Sequence, residues 1–317
     1  MSKKLRVLFV DSTHKRLPEK LSDAGFIVNY NPDDIQPDDI INIIPEYEGV
    51  IIRSKIKIDK TILDAAPNLK FIGRVGAGLE NIDVEYAKSK GIQCFNSPEG
   101  NRDAVGEQAL GMLLTLFNNI LKADPEVRVG KWIREGNRGL EIKGKTVGII
   151  GYGNMGSAFA QRLKGFEANV IAYDKYKFNY SNDFVTEKTL EDLFKETDIL
   201  SIHVPLTEET NFMINDEFIN KFKKNIYIIN TARGKVLKTE DLVKNMKSGK
   251  VLGAALDVLE YEQTSFEDLH SEGLPEAFQY LIKSNNVVLT PHIAGWTQES
   301  NVKLSEFLAD KIINTFT

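Results

Sequence analysis

Short apolar runs alternate with segments of helical periodicity along most of the chain, and this rhythm occurs twice. The first set of runs predicts strands at residues 5–10, 49–52, 69–75 and 92–95. The second set predicts strands at residues 146–150, 169–173, 199–203, 226–230, 251–256 and 287–289. Strands that alternate with helices are typical of βαβ units, whose parallel sheet is covered by helices. The sequence therefore predicts an α/β fold with two parallel-sheet domains of the Rossmann or flavodoxin type.

Two helical segments indicate how these units are connected. Residues 101–121 carry apolar side chains at helical spacing, which predicts one long helix bridging the two units. Residues 298–316 are also helical, and their apolar face is expected to pack back on the N-terminal unit. A chain of 317 residues is long enough for two domains of ordinary size.

Composition excludes several classes of partner. A net charge of −5 gives no overall attraction to nucleic acid or to an anionic membrane. The N-terminal apolar run ends at Asp11, too early for a signal peptide, and no other stretch is long enough to cross a bilayer. Cys94 is the only cysteine, so neither an internal disulfide nor a thiolate metal site is expected. These features predict a cytoplasmic protein without a metal and without nucleic-acid or membrane partners.

A glycine-rich turn directly follows the predicted strand at 146–150 and precedes a helix. The turn contains Gly151, Gly153, Asn154, Met155 and Gly156. Glycines at this spacing allow a tight turn and let the backbone approach a pyrophosphate, which the N–H groups of the helix N-terminus bind. A bare GxGxxG is often only a glycine-rich turn, but the preceding strand and the following helix favour a dinucleotide site.

Asp174 ends the next predicted strand, 18 residues after Gly156. A carboxylate at this position accepts hydrogen bonds from the adenosine ribose and repels a 2′-phosphate. NAD is therefore the expected cofactor, in preference to NADP, although Lys175 and Lys177 would weaken the repulsion. The alternative is an ordinary surface charge. Further cofactor contacts are expected at the carboxyl ends of the following strands, from His203, Val204, Pro205, Thr231 and Ala232.

Arg233, Glu262 and His292 follow this loop and supply the cation, the carboxylate and the histidine that hydride transfer on a small acid uses. A guanidinium binds a carboxylate through two parallel hydrogen bonds, and a histidine exchanges protons near neutral pH. A neighbouring carboxylate favours the charged histidine and fixes its tautomer. Each residue alone also fits a structural role in a loop, a surface or a turn. Their joint occurrence predicts a dehydrogenase, with His203 shaping the cofactor pocket.

These motifs, together with the sequence from Gly73 to Asp83, make the chain similar over nearly its whole length to D-2-hydroxyacid dehydrogenases. It most resembles the short D-3-phosphoglycerate dehydrogenases. The resemblance implies that Arg233 binds the substrate carboxylate and reacting oxygen, and that His292 is the general acid/base paired with Glu262. It also implies that Asp257 hydrogen-bonds the nicotinamide carboxamide. Further carboxylate contacts would come from the backbone of Val75, Gly76, Ala77 and Gly78.

The resemblance also implies that the two domains bind different molecules. Residues 1–98 and 293–317 would form a discontinuous substrate-binding domain, and residues 99–292 would bind NAD, with the active site in the cleft between them. Family members are usually dimers, and Trp132, in a polar arm rich in glycine, is the predicted anchor of a homodimer interface. The chain stops soon after the terminal helix, so serine feedback through a C-terminal regulatory domain is not expected.

The implied reaction is NAD-dependent oxidation of D-3-phosphoglycerate to 3-phosphohydroxypyruvate, the entry to serine biosynthesis. A phosphate needs additional cations, for which Arg53, Lys55 and Arg74 are candidates, with Ser54 beside them. If these are ordinary loop charges, a hydroxypyruvate, glyoxylate or other 2-keto acid reductase is the alternative. An NAD-sensing corepressor-like interaction protein is disfavoured because no extra tails are seen. Segment 263–270, longer and more polar than is usual in the family, is expected to lie over the site and to alter specificity.

Overall fold

The structure is a computed structural model that describes residues 4–33, 35, 39–262 and 275–317, and segment 263–270 lies outside these residues. The described chain divides into two compact units. The first contains residues 4–101 and 296–317, and the second contains residues 102–262 and 275–295. No helix in the described part of the chain is long and apolar enough to cross a membrane.

The first unit is a five-stranded parallel sheet in the order β2-β1-β3-β4-β5. The strands are β1 Arg6–Phe9, β2 Ile27–Tyr30, β3 Gly49–Ile52, β4 Phe71–Arg74 and β5 Gln93–Phe95. The helices are α1 Arg16–Asp23, α2 Ile40–Ile43, α3 Lys60–Asp64, α4 Val84–Ser89 and α12 Gln298–Phe316. This strand order is that of flavodoxin-like folds.

Both faces of the first sheet are buried, because alternate strand residues point to opposite sides. Val50 and Ile72 pack on one face with side chains of α2, α3 and α4. Ile51 and Phe71 pack on the other face with α1 and α12. Two-sided burial explains why the strands appear in the sequence as unbroken apolar runs. The last helix of the chain thus completes the core of the first unit, as its apolar face predicts.

The second unit is a seven-stranded parallel sheet in the order β12-β11-β10-β9-β6-β7-β8. The strands are β6 Thr146–Ile150, β7 Asn169–Tyr173, β8 Thr186–Glu187, β9 Ile199–Ile202, β10 Ile226–Asn230, β11 Val251–Leu256 and β12 Val287–Leu289. The helices are α5 Arg102–Phe117, α6 Ile120–Arg128, α7 Asn154–Leu163, α8 Leu190–Glu196, α9 Asp216–Lys221, α10 Thr239–Lys247 and α11 Glu276–Lys283.

The second sheet is also covered on both faces. Val147 and Ile149 pack with α5 and α7 on one side, whereas Leu200 and Ile228 pack with α8 to α11 on the other. Its strand order reverses at β6, which pairs with β7 on one side and with β9 on the other, as in Rossmann folds. The prediction of two parallel-sheet α/β domains is confirmed.

Two details differ from the sequence-based expectation. The single helix predicted over 101–121 is interrupted, because Asn119 adopts the left-handed conformation (φ 51°) and separates α5 from α6. α5 packs within the second unit, against α7. The edge strands β2 and β8 were not predicted. β2 is half-exposed and contains polar Asn29, and β8 has only two residues, so neither produces an apolar run.

Candidate functional site

The glycine-rich turn follows β6, at the point where the strand order of the second sheet reverses. Gly151 has a φ of 92°, and a Cβ there would lie 2.5 Å from the carbonyl oxygen of His203. By contrast, no described atom lies within 4 Å of the Cβ position of Gly153. A phosphate can therefore approach the backbone at Gly153, beside the N–H groups that open α7. The first turn of α7 contains Asn154, Met155 and Gly156.

Asp174 directly follows β7, and its carboxylate organises the backbone around it. Oδ2 accepts a hydrogen bond from the N–H of Tyr152 in the glycine-rich turn at 2.8 Å. Oδ1 accepts from the N–H groups of Tyr176 and Lys177 at 2.9 and 3.0 Å. The Lys177 amine donates to the Tyr152 carbonyl at 3.2 Å and lies over the rings of Tyr152 and Tyr180. Asp174 thus joins the loop after β7 to the glycine-rich turn.

The loops after β9 and β10 reach the same edge of the sheet. His203 is partly exposed as a residue, but Nδ1 is buried and Nε2 bonds to Ser201 Oγ at 2.8 Å. Burial of its polar atoms lowers the pKa of His203 to about 3, so the ring is neutral at physiological pH. His203 Nδ1 and Thr231 Oγ1 are buried without hydrogen-bond partners in the described chain, which suits an edge that binds a polar ligand. The same loops contain Val204, Pro205 and Ala232.

Glu262 and His292 form a close pair in the second unit. Glu262 Oε2 lies 2.7 Å from His292 Nδ1, and their side chains are only 14% and 22% exposed. The other carboxylate oxygen accepts a hydrogen bond from the N–H of Leu259, which fixes the carboxylate within its own turn. Because a carboxylate only accepts hydrogen bonds, Nδ1 carries a proton and the histidine tautomer is set.

Asp257 holds the backbone of the His292 turn. Asp257 is 1% exposed, and its Oδ1 accepts hydrogen bonds from Thr290 Oγ1 at 2.5 Å and from the Ile293 N–H at 2.9 Å. Oδ2 accepts from the Ala294 N–H at 2.9 Å. These contacts enclose His292, whose φ of 54° is uncommon for a residue other than glycine. Asp257 therefore stabilises the turn that presents His292, and its contact with the nicotinamide remains a prediction.

Arg233 follows β10 and lies beside the turn that contains Glu262. The contact is made by Gly234, where a Cβ would be 2.0 Å from the carbonyl atoms of Leu259. The side chain of Asn230 donates to the Arg233 carbonyl at 3.1 Å, and Arg233 Nη1 donates to the preceding carbonyl at 2.7 Å. A guanidinium, a carboxylate and an imidazole are thus assembled on adjoining turns of one unit.

In the first unit, two of the predicted cations lie at the carboxyl ends of neighbouring strands: Arg53 follows β3, and Arg74 is the last residue of β4. The Arg53 guanidinium lies 4.8 Å from the ring centroid of Trp296, and its backbone N–H donates to Asp11 Oδ2 at 2.6 Å. Arg74 Nε donates to the Arg53 carbonyl at 3.3 Å, which links the two strand ends. An exposed indole (70% for Trp296) thus supports one arginine, and the second arginine lies next to it.

The third predicted cation, Lys55, has another role. Its amine donates to the carbonyls of Pro32 and Ile35 at 2.9 and 2.5 Å, so it stabilises a loop of its own unit. These two bonds engage two of the three donors of the ammonium group, and a contact between Lys55 and a substrate phosphate stays a prediction. The Val75 N–H is similarly engaged, by the Ile52 carbonyl at 2.9 Å. The remaining predicted residues of these loops are Ser54, Gly76, Ala77 and Gly78.

The sequence analysis did not select Thr290, Gly234 or Trp296. Thr290 was detectable as a hydroxyl two residues before the histidine, but its bond to a buried carboxylate requires the fold. Gly234 and Trp296 act through close contacts with segments distant in sequence. In the described part of the chain, no group of three or more His, Cys, Asp or Glu residues could hold a metal ion.

Comparisons with known proteins agree with this arrangement. The sequence model of the "D-isomer specific 2-hydroxyacid dehydrogenase, NAD binding domain" matches residues 110–294. A hydroxypyruvate reductase of Thermotoga maritima is 40% identical over 279 residues, which are 88% of each chain. A D-3-phosphoglycerate dehydrogenase of Archaeoglobus fulgidus is 37% identical over 279 residues. That alignment covers 87% of this chain but only 51% of the relative, so the chain spans about half of that protein.

A solved structure supports the same relationship over nearly the full length. The D-lactate dehydrogenase of Aquifex aeolicus, in complex with NAD and lactic acid, superposes with a TM-score of 0.80 at 31% identity. The superposition covers 98% of this chain and 95% of that one. With a family match over more than half of its residues, the chain belongs to the D-isomer specific 2-hydroxyacid dehydrogenase family and is an NAD-binding oxidoreductase.

Proposed function

We propose that the chain is an NAD-dependent D-3-phosphoglycerate dehydrogenase that produces 3-phosphohydroxypyruvate. The observation that carries the reaction type is the Glu262–His292 pair, with 2.7 Å between Oε2 and Nδ1. Glu262 stabilises the imidazolium that forms when His292 takes a proton. The turn held by Asp257 keeps the ring in place, so the pair is organised before substrate binds.

The proposed proton transfer uses His292 Nε2, because Nδ1 is engaged by Glu262. In oxidation, neutral His292 accepts the proton of the substrate hydroxyl as the O–H bond breaks. NAD, when bound, accepts the hydride of the α-carbon, and the C–O bond becomes a carbonyl. Arg233 binds the substrate carboxylate and the reacting oxygen. In reduction, protonated His292 returns the proton to that oxygen.

The proposed cofactor position follows the edge of the second sheet. The residues that would hold the pyrophosphate are Gly153 and the start of α7, and Asp174 would hold the adenosine ribose. Thr231 Oγ1 and His203 Nδ1 are the buried polar atoms that suit a ligand there. A ribose-binding carboxylate disfavours a 2′-phosphate, so NAD is the preferred form of the cofactor.

The phosphate of the substrate is assigned to the first unit. Arg53 and Arg74 lie at the carboxyl ends of neighbouring strands, linked by the hydrogen bond from Arg74 Nε to the Arg53 carbonyl. Two guanidiniums suit an anion beyond the carboxylate. The second candidate is a hydroxypyruvate reductase, which is favoured by the 40% identity to the Thermotoga protein over 88% of both chains. The engagement of Lys55 also leaves fewer cations for a phosphate.

A substrate panel separates these two candidates. Initial rates of NADH oxidation are measured with 3-phosphohydroxypyruvate, hydroxypyruvate and glyoxylate, and rates of NAD reduction are measured with D-3-phosphoglycerate. We expect the highest kcat/KM for 3-phosphohydroxypyruvate. A higher value for either unphosphorylated acid would replace the phosphoglycerate assignment by the reductase.

Arg53→Ala tests the phosphate assignment directly. Loss of a hydrogen bond to a charged group costs about 1.5–3 kcal/mol, which is roughly 10- to 150-fold in KM for 3-phosphohydroxypyruvate. The effect on hydroxypyruvate should be smaller, and Lys57→Ala, an exposed cation four residues further on, serves as the control. If Arg53→Ala raised KM equally for both substrates, Arg53 would not bind the phosphate.

We also propose that the protein is a homodimer. α6 and the arm that follows it expose an unusual number of apolar side chains, including Trp132 (77%), Val129 (71%) and Leu121 (56%). A second copy of the chain would bury them. Light scattering after size-exclusion chromatography should give twice the chain mass of 35.7 kDa, and Trp132→Asp should shift the equilibrium towards monomer.

A further inference from the structure

Two loops flank the glycine-rich turn at the reversal point of the second sheet. One follows β7 and contains Lys175 and Tyr176, immediately after Asp174. The other follows β9 and contains Glu209. Because β7 and β9 pair with opposite sides of β6, these loops border the crevice in which such sheets bind a dinucleotide.

Glu209 connects the two loops. Its Oε1 lies 2.5 Å from Lys175 Nζ, and its Oε2 accepts a hydrogen bond from the Tyr176 hydroxyl at 2.9 Å. These donors, Lys175 first, hold the pKa of Glu209 below its usual value, so the carboxylate is ionised at neutral pH. We call Lys175, Tyr176 and Glu209 the β7–β9 brace.

Both ends of the brace are fixed by their own loops. On the β7 side, Asp174 Oδ1 accepts the N–H groups of Tyr176 and Lys177. On the β9 side, Thr210 Oγ1 donates to the Pro205 carbonyl at 2.6 Å and accepts the Thr207 N–H at 2.8 Å. An exposed ion pair is usually weak because two mobile side chains must be ordered. Here the backbones are already ordered, and the carboxylate binds two donors.

The brace determines how much positive charge faces the proposed ribose position. Lys175 and Lys177 follow Asp174 directly, and a free lysine there would attract a 2′-phosphate. Lys177 is held by the Tyr152 carbonyl and two tyrosine rings, and Lys175 is held by Glu209. The Glu209 carboxylate therefore offsets the charge of Lys175, whereas Lys177, whose partners in these contacts are neutral, keeps its charge.

We propose that Glu209 is a specificity-determining residue, which withholds Lys175 from the ribose and so favours NAD over NADP. This inference rests on the proposed ribose position at Asp174. It assigns part of the discrimination to a residue that does not itself need to touch the cofactor. Removal of the Glu209 charge should release Lys175 and create a weak 2′-phosphate site.

Glu209→Gln tests this inference by fluorescence titration with NADH and with NADPH, in the absence of substrate. We expect NADPH to bind about two- to fivefold more tightly than to the wild type, which is the range for an exposed ion pair. NADH affinity should change less than twofold. The gain should shrink at high salt, because exposed charges are screened. Glu208→Gln is the matched control, since it removes a neighbouring exposed carboxylate outside the brace.

The Glu209→Gln change in a Lys175→Met variant distinguishes two causes of tighter NADPH binding. One is the release of Lys175, and the other is the loss of direct repulsion between Glu209 and the 2′-phosphate. In Lys175→Met, the Glu209→Gln change should bring no gain in NADPH affinity. A persistent gain would overturn the brace, because Glu209 would then repel the phosphate directly. No gain in the wild-type background would also overturn it. If Asp174→Ala leaves NADH binding unchanged, the proposed ribose position itself fails, whatever Glu209 does.

Discussion

At the scale of single residues, two carboxylates hold His292 from different sides. Glu262 bonds to the ring through Nδ1, whereas the Asp257 carboxylate accepts hydrogen bonds from the Thr290 hydroxyl before the histidine and from two backbone N–H groups after it. The first carboxylate sets the proton on the ring, and the second stabilises a left-handed residue. The ring of His292, the proposed acid/base, is thus positioned by two carboxylates.

His292→Ala should lower kcat about 10²–10⁴-fold, the usual contribution of a general acid–base group. NADH affinity should change little, because the proposed pyrophosphate site is at the glycine-rich turn and not at His292. Steady-state rates with the best substrate of the panel, together with an NADH titration, measure both quantities. His14→Ala, a histidine of the first unit, is the control. Full activity in His292→Ala would remove this residue from the mechanism.

The order of the motifs allowed these residues to be selected from the sequence, but not all their partners. Arg233, Glu262 and His292 are recognisable because each residue type has few alternatives for its task. The carbonyl partners of Lys55 were not foreseen, because a charge in a loop looks the same in the sequence whether it faces a ligand or a backbone carbonyl. Thr290 and Glu209 were overlooked because their partners come from other loops.

At the scale of elements, the turns after β10 and β11 depend on one another. Gly234 lies so close to Leu259 that no side chain fits between them, and the Leu259 N–H donates a hydrogen bond to the Glu262 carboxylate.

 We therefore expect the turn that contains Arg233 and the turn that contains Glu262 to move together, because their contact is made by backbone atoms.

Gly234→Ala and Gly111→Ala should have opposite effects on stability. A Cβ at Gly234 would lie 2.0 Å from the Leu259 carbonyl, and overpacking of this kind costs about 1–3 kcal/mol. At Gly111, an exposed position of α5, no described atom lies within 4 Å, and alanine should stabilise the helix by about 1 kcal/mol. Urea unfolding measures both changes. Only Gly234→Ala should also reduce kcat, and an unchanged kcat would show that the two turns are independent.

Helices and strands were predictable wherever burial leaves a recognisable pattern of apolar residues in the sequence. Strands with both faces covered, such as β6 and β11, appear as apolar runs and were located to within a residue or two. The interruption between α5 and α6 was not predictable, because Asn119 adopts its left-handed conformation without a glycine or proline to mark it. Edge strands such as β2 are also hidden, since half of their side chains face water.

At the scale of the whole molecule, each unit follows the same rule: a parallel sheet with an apolar layer on each face. This rule is visible in composition and periodicity, so the fold class was predictable without any knowledge of contacts. The pairing of loops at the sheet edge could not be predicted from the sequence, because it depends on the order of the strands. The order places β6 between β7 and β9, although β9 follows β8 in sequence.

His203 should make the stability of the protein depend on pH. Its pKa is lowered from 6.5 to about 3 by burial, so the unfolded chain binds a proton below pH 6.5 that the folded chain does not. Stability is therefore fully present above pH 6.5 and falls with acidity, by about 1.4 kcal/mol per pH unit. Calorimetry of His203→Gln between pH 6.5 and 5 should show a smaller fall in Tm than in the wild type. Identical falls would contradict a neutral, buried His203.

The position of α12 has a consequence for how the protein is made. Leu308, Ala309 and Ile312 are fully buried against the sheet that residues 6–95 form, yet they are synthesised long after it. Translation proceeds at about 5–20 residues per second, so roughly 200 intervening residues delay their arrival by about 10–40 s. During that interval α1 alone covers the face of the nascent first sheet that α1 and α12 share in the folded unit. The newborn chain should therefore engage chaperones through this partly covered face until α12 has been synthesised.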